Sequence, residues 1–355
     1  MNGITVLLTG CGAPGAPGII SCLRKVKERK IRIVGVDMNP NAGARGLVDG
    51  FYTVPPAKDP FFIDRVFEVC LKERVDVVLP IVTRELMKFA LARKVFEERG
   101  IKVSVMESEI LEIVNNKAAL LSKMREIGLP TPWFMAVHSI EELEDACMKA
   151  GYPGRAICVK AAEGNGSRGV RMIDPQKSRF DLFFDSKPNS MYISYEELIR
   201  TLREKPQIPE MLVMELLPGT EYSVDVLAGN GKILYEVSRR GLSVLTSNMM
   251  SLVIDDNRQV LDLCGAVAEK LGMDGNFGFD LLYNEDMTQP YIIEVNPRLT
   301  AGVVSCAAAG VNLPYLGIKR LLGEYLPDCV PNYGTRMARH YVESFFDKEG
   351  KPIEW

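Results

Sequence analysis

The sequence predicts two architectures in succession, an α/β unit over residues 1–109 and an α+β unit over 110–355. Three observations predict them. Up to residue 109, apolar strand-like runs alternate with helix-like runs, which implies a parallel sheet covered by helices on both faces. From about 110, strand-like runs follow one another across short glycine or polar turns, which implies antiparallel pairing. The stretch 174–209 is polar and turn-rich and reads as a long connection or insert.

In order, "ITVLLTG" (4–10) reads as a strand, and "APGIISCLRKVKERK" (16–30) as a helix with Pro17 near its start. "IRIVGVD" (31–37) and "VDVVLPI" (75–81) are further strands, and "IKVSV" follows a helix pattern that ends at Gly100. "SEILEIVNNKAALLSKMREIG" (108–128) is a helical region closed by Gly128. Strands are then expected at 133–137, 155–161, 170–173, 211–215, 221–228, 232–238, 277–283 and 291–296, with helices near 140–150, 195–204, 258–271 and 313–324. No repeat or low-complexity segment interrupts them.

Composition narrows the function classes. A net charge of −3 with no basic run argues against nucleic acid as the main partner. No apolar run is long enough to span a membrane. "MNGITVLLTGCG" enters a glycine turn without a basic segment, so it reads as a first strand and not as a signal peptide, and a cytoplasmic location is expected. The eight cysteines form no C-x-x-C pair and read as reduced, buried thiols. His138 and His340 lack metal-ligand spacing, which disfavours zinc.

Two glycine motifs could meet phosphates. Gly10-x-Gly12-x-x-Gly15 sits between a strand and a helix, with Asp37 ending the next strand, and so matches the dinucleotide fingerprint in spacing and context. The plain alternative is the tight turn of any parallel α/β unit. Gly164-x-Gly166-x-x-Gly169 lies between two strands and follows Lys160; such a loop can offer backbone N–H groups to phosphates while the lysine adds a point charge. Its alternative is a mobile hairpin with a solvated lysine. No Walker motif is present, and no H-R-D or D-F-G, so protein kinase chemistry is disfavoured.

The most informative stretch is "GNFGFDLLYNEDMTQPYIIEVNPR" (275–298). Glu294, Asn296 and Arg298 recur every second residue, which puts all three on one face of a strand. If Tyr283 pairs with Tyr291 across the turn, Asp280 lies opposite Glu294, and opposed side chains start about 5 Å apart. Two such carboxylates repel unless a cation lies between them. Magnesium suits them, Asn296 adds a neutral oxygen, and Arg298 extends toward any phosphate the ion holds. A surface hairpin with scattered polar residues is the alternative, and Gly278, Phe279, Leu281, Val295 and Pro297 fit it poorly.

Taken together, Lys117 in "NNKAAL", Lys160 before "EGNGSRGV", "VMELLPGTEYSVD" (213–225), Asp280 in "GFDLL" and "EVNPRLTAG" (294–302) resemble the ATP-grasp superfamily, in its carbamoyl-phosphate-synthase-like branch. The resemblance covers nearly the whole chain. It implies a Rossmann-like domain over 1–109 followed by an ATP-grasp fold over 110–355, two α+β subdomains that clamp ATP, with a lid at about 131–214. Lys117 and Lys160 would contact the ATP phosphates, and Gly164, Gly166, Ser167 and Gly169 would close over them. Glu215 and the backbone near Leu217 would read the adenine edge, and Glu221 would hold the ribose. Asp280, Glu294 and Asn296 would bind Mg²⁺, or Mn²⁺ in its place. Arg298, with Lys160, would be catalytic. One departure is Asp280, where relatives often carry Glu or Gln; the shorter arm could leave an ion held mainly by Glu294. Because the N-terminal domain of this superfamily usually binds no dinucleotide, Gly10, Gly12 and Gly15 become a loop lining the acceptor site.

The implied reaction is ATP-dependent joining of a carboxylate to an amine, on an amino acid or similar metabolite, through an acyl phosphate and with release of ADP and phosphate. Small-molecule carboxylates and amines are the expected partners, with a homodimer open. Arg239 and Arg240 after strand 232–238, and Thr83, Arg84 and Glu85 after the strand at 75–81, are candidates to face the substrate, as is the small-residue run 298–310. The competing readings are a carbamate- or carboxyphosphate-forming enzyme, an NAD-dependent oxidoreductase built on 1–109, and a non-catalytic nucleotide-binding regulator.

Overall fold

The computed structural model describes all residues except 1, 165, 167, 186–190, 246, 247, 341, 349, 352, 354 and 355. Its first 103 residues give β1 (Ile4–Leu8), α1 (Ala16–Arg24), β2 (Ile31–Asp37), β3 (Gly50–Thr53), α2 (Phe62–Glu73), β4 (Val77–Leu79), α3 (Thr83–Glu97) and β5 (Lys102–Val103). The strands form a parallel sheet in the order β3-β2-β1-β4-β5. One face packs Leu7, Val34 and Val36 against Phe62 and Val66 of α2 and Phe89 and Phe96 of α3. The other packs Val6, Leu8 and Ile33 against Ile19, Ile20 and Leu23 of α1. With both faces covered, β1 and β2 read as nearly unbroken apolar runs.

The remaining elements are α4 (Ser108–Val114), α5 (Lys117–Glu126), β6 (Phe134–Val137), α6 (Ile140–Lys149), β7 (Ile157–Ala161), β8 (Val170–Ile173), α7 (Arg179–Asp185), α8 (Tyr195–Leu202), β9 (Met211–Glu215), β10 (Glu221–Gly229), β11 (Lys232–Leu245), β12 (Asn248–Asp255), α9 (Arg258–Leu271), β13 (Gly275–Tyr283), β14 (Pro290–Asn296), α10 (Val303–Ala308), α11 (Leu313–Leu321) and β15 (Arg336–Ala338). They build an antiparallel four-stranded sheet, β6-β9-β7-β8, and an antiparallel six-stranded sheet, β14-β13-β10-β11-β12-β15. Helix α9 shows why its sequence folds so. The Asn257 side chain caps it by accepting from the Val260 N–H, and Val260, Cys264, Val267, Ala268 and Leu271 form its buried stripe. Gly272 ends it in the left-handed conformation, φ 64°.

The parallel sheet does not stand apart. The core under α1 continues into Leu316 and Ile318 of α11 and Leu227 and Val237 of the six-stranded sheet. Each such side chain taken out of water contributes roughly 1.5–3 kcal/mol. Charges reinforce the junction: Arg29 meets Glu324 at 2.6 Å, and Glu28 accepts from Tyr315 at 2.5 Å and from Lys319 at 3.0 Å.

Several elements differ from the sequence expectation. The helix expected over 16–30 stops at Arg24, because the following turn is where Arg29 leaves for Glu324 and Arg24 donates to the Ile31 carbonyl. The 108–128 region is two helices, divided where the Asn116 side chain caps α5 by accepting from Ala119. The strand expected to end at 238 runs to Leu245 and pairs with β12. β3, α2, β12 and β15 fall where no element was expected, and α7 lies with α8 inside the turn-rich stretch 174–209.

Candidate active site

The chemistry-bearing side chains gather because four strands of the six-stranded sheet stand in register. Arg239 of β11 lies opposite Ser223 of β10, Ser223 opposite Asp280 of β13, and Asp280 opposite Glu294 of β14. One row across the sheet is therefore Arg-Ser-Asp-Glu. The next row holds Asp225, Gly278 and Asn296. The Asp280–Glu294 pairing is reached by a route the sequence did not reveal. Tyr283 pairs with Pro290, one residue short of Tyr291, and a bulge at Ile293 restores the alignment. Gly278 is required in the second row: a Cβ there would sit 2.3 Å from the Thr300 methyl, which occupies the gap.

A cavity of about 590 Å³ opens over these rows, within the usual size of a ligand pocket. Lys117, Lys160, Gly164, Gly166, Glu215, Leu217, Glu221, Arg239, Asp280, Glu294, Asn296 and Arg298 all line it. Lys117 reaches Glu294 at 3.3 Å and donates to the Gly164 carbonyl at 2.8 Å, so it ties the glycine loop to the carboxylate row. Lys160 is 5% exposed with no hydrogen-bond partner among the described residues, and burial pulls its pKa down. Asp280 accepts from Ser223 at 2.7 Å and from the Asn296 amide at 2.8 Å, yet burial, with the Glu294 charge beside it, still raises its pKa. Burial, then Asp280, pushes Glu221 up to about 7. Arg298 donates to the Thr83 hydroxyl at 3.2 Å, to the Leu299 backbone carbonyl at 3.0 Å and to the Asn296 side-chain amide oxygen at 3.1 Å. Burial lowers its pKa, though a guanidinium stays cationic in a protein. Glu215 instead accepts from its neighbour's backbone, the Trp133 N–H, at 2.7 Å.

Other sequence candidates lie elsewhere. Arg240 is corrected: the strand continues past it, so it alternates to the opposite face, where it pairs with Asp255 at 2.9 Å beside Tyr222. Glu85 is corrected too. It is buried, is not among the residues that line the cavity, and accepts from Thr9 at 2.5 Å. Thr83 does not line the cavity but meets it through Arg298. Gly169 closes the β7–β8 hairpin, its carbonyl accepting from Ala161 at 3.1 Å, and is not in the cavity wall. Ser167 lies outside the described residues. Of the first glycine motif, Gly15 abuts the Ala301 backbone, where an added Cβ would come within 3.0 Å. Asp37 accepts from the Gly12 N–H at 2.6 Å and the Asn39 N–H at 2.8 Å, so the acid of the dinucleotide fingerprint is engaged by nearby backbone.

Comparison with known proteins places this geometry. Residues 207–343 match the family model described as "ATP-grasp in the biosynthetic pathway with Ter operon". Residues 6–104 match the "PylC-like, N-terminal domain". Over residues 207–343 the chain therefore resembles the ATP-grasp ligases, whose members are ATP-dependent enzymes. It is 24% identical over 301 residues to a carbamoyl-phosphate synthase of Methanobrevibacter smithii, covering 81% of this chain and 73% of that protein. It is 23% identical to the carbamoyl phosphate synthase large chain of Clostridium acetobutylicum, covering 88% of this chain but only 28% of that one. Among solved structures, the biotin carboxylase domain of Hydrogenobacter thermophilus 2-oxoglutarate carboxylase, in complex with MgADP and bicarbonate, superposes with a TM-score of 0.68 at 18% identity, covering 93% of this chain and 72% of that one. The L-amino acid ligase of Bacillus licheniformis gives 0.62 at 18% identity, covering 91% and 74%. ATP-grasp enzymes use ATP and Mg²⁺. No helix of the described residues is long and apolar enough to cross a membrane.

The cavity also contains residues the sequence reading passed over. Ser223 continues the alternation begun by Glu221, so the period-two pattern could have found it. Arg339 had no sequence cue. It enters the cavity from the chain just after β15, the short strand that adds to the sheet edge at β12.

Proposed function

We propose that the chain joins a small carboxylate to an amine, an amino acid or a similar metabolite, through an acyl phosphate. The observation that carries this is the Asp280–Glu294 pair, facing one cavity with Lys117, Lys160 and Arg298. The donor set fits a hard cation. Two opposed carboxylates and the Asn296 amide oxygen offer oxygen only, and the Glu294 charge adds to burial in raising the Asp280 pKa. Phosphate oxygens and water are proposed to complete the coordination. When bound, Mg²⁺, or Mn²⁺ in its place, supplies charge neutralisation at the transferring phosphate.

The chain's own residues position and neutralise. Lys160, enclosed and without a protein partner among the described residues, is proposed to meet a phosphate oxygen, and Lys117 to do so while anchoring the loop at Gly164. Gly164, Gly166, Ser167 and Gly169 are proposed to close over the phosphates as part of a lid spanning about 131–214. Glu215 and Leu217 are proposed beside the adenine, where Cys158, Met214 and Leu216 add apolar wall, and Glu221 at the ribose. The reacting carboxylate oxygen bonds to the γ-phosphorus as the bond to ADP breaks. The amine then bonds to the acyl carbon as phosphate leaves, and it loses a proton. Arg298, held among the described residues by neutral acceptors, is proposed to keep its charge for the phosphoryl group.

Phosphate release from MgATP, screened over amino acids, small carboxylic acids and bicarbonate, each with and without amines, tests the proposal. Arg298→Ala should lower kcat about 100-fold. It should leave the MgATP-induced rise in melting temperature in place. An unaltered kcat would remove Arg298 from the mechanism. Release that depends on bicarbonate and ammonia alone would favour the carboxyphosphate reading that the carbamoyl-phosphate synthase relatives suggest.

A further inference from the structure

The wall around Ala301 brings together four distant parts of the chain. Gly15 abuts the Ala301 backbone, Gly302 lies under Arg239, and Arg339 donates to the Ala301 carbonyl at 2.8 Å and to the Met249 carbonyl at 3.0 Å. Three arginines share this wall, and their charges are balanced differently. Arg239 is neutralised by Asp225 at 2.6 Å. Arg298 is held by a hydroxyl and two carbonyl oxygens on the strand face that carries Glu294 and Asn296. Arg339 has only its two backbone carbonyls, with no carboxylate in ion-pair range among the described residues and no acceptor there for its Nη1 group.

The surroundings make that imbalance costly. Ile19, Ile81, Met249 and Leu299 line the same cavity, and Arg339 is half-buried. Burial and the neighbouring Arg239 charge both disfavour its cation. A partly desolvated guanidinium with no counter-ion is stable only at a cost, and a planar carboxylate is the group its fork matches. Resting on the ligase reading above, we infer that Arg339 receives a carboxylate of the substrate other than the one that reacts. Arg339 thereby selects substrates that carry this second anionic group.

The group could sit on the amine substrate or on the acid substrate, and two arms separate these sources. In the first, the twenty amino acids are compared with their carboxamides as amines. In the second, succinate and glutarate are compared with their monoamides as acids. Phosphate release from MgATP is the readout, for the wild type, Arg339→Met and Arg339→Lys. In one arm the carboxylate form should have a KM at least ~10-fold below its amide. Arg339→Met should raise that KM ~10- to 100-fold, with kcat changed less than about threefold and the amide's KM unmoved. Arg339→Lys should recover part of the loss. An unchanged MgATP-induced melting shift in Arg339→Met controls for folding. Equal KM values for acid and amide in both arms, or an equal effect of Arg339→Met on both, overturns the inference while the ligase reading stands. No phosphate release above ATP alone with any member removes the ligase reading and the inference with it.

Discussion

Arg239→Met is the sharpest perturbation of the scaffold beneath the cavity. Arg239 and Asp225 lie 2.6 Å apart, with side chains 5% and 2% exposed. The Thr300 hydroxyl joins them, donating to Asp225 at 2.5 Å and accepting from Arg239 at 3.1 Å. Removing the guanidinium leaves a carboxylate in the core with a hydroxyl and the Cys306 thiol, 3.4 Å away, as its remaining donors. Breaking a buried pair in this way costs about 3–5 kcal/mol, against about 0–1 for an exposed pair such as Arg65–Glu68. Replacing both partners, as Asp225→Leu with Arg239→Met, should return most of the loss, because no charge is then left buried. Equilibrium urea unfolding followed by circular dichroism measures both. Geometry supplies a second coupling. A Cβ on Gly302 would lie 2.0 Å from Arg239 Nη1, so Gly302→Ala should cost about 1–3 kcal/mol alone and clearly less beside Arg239→Met. If Arg239→Met unfolds within about 1 kcal/mol of the wild type, or the double replacement is as unstable as the single, the charge argument fails.

Two further outcomes follow from the parallel-sheet end. Burial, opposed by the Thr9 hydrogen bond and aided by the Asp37 charge, raises Glu85 from its ordinary 4.5 to about 7. The folded chain thus keeps a proton that the unfolded chain releases near 4.5; this stabilisation is complete below that pH and lost as pH rises through about 7. Relative to Glu85→Gln, wild-type stability should fall by about 3 kcal/mol across that window, and parallel pH–stability curves for the two proteins would contradict it. Gly15→Val should push the Gly15 loop away from Ala301, since even one added carbon meets the Ala301 Cα at 3.0 Å. Phosphate release should drop at least ~10-fold while the MgATP-induced melting shift persists, and loss of both together would point to misfolding instead.

What the sequence disclosed, and what it hid, divides by the range of the interactions involved. Local periodicity exposed the face shared by Glu294, Asn296 and Arg298, and the alternation of strands and helices exposed the parallel sheet. The turn of the β13–β14 hairpin was assigned one residue off, and Asp280 still met Glu294 because a bulge at Ile293 compensated. Nothing in "YIIEVN" marks which isoleucine bulges. Arg239 and Arg240 were inseparable in sequence because the strand end was placed before them. Once β11 continues to Leu245, strict alternation sends one to Asp225 and the other to Asp255. Arg339 stayed invisible for a different reason: it follows a three-residue strand whose pairing with β12 spans most of a hundred residues of chain, and no local pattern encodes such a contact.

The same division bears on how the cavity works. The carboxylate row belongs wholly to the six-stranded sheet, but the cation above it does not. Arg298 is oriented by Thr83, the first residue of α3, which projects from the parallel sheet. Thr83 offers a neutral oxygen, so it fixes the guanidinium without quenching its charge; an acidic residue there would form an ion pair and compete with a phosphoryl group. Ala301 is likewise held between Gly15 of the first sheet's loop and Arg339 from beside its partner's far edge. The carboxylate row is therefore set by one sheet alone, whereas the wall at Ala301 forms where α1 and its preceding loop pack on α10 and α11. On the ligase reading, variation in the first hundred residues would alter both this wall and, through Thr83, the orientation of Arg298, and the interface charges at Glu28 and Arg29 tie the two parts together.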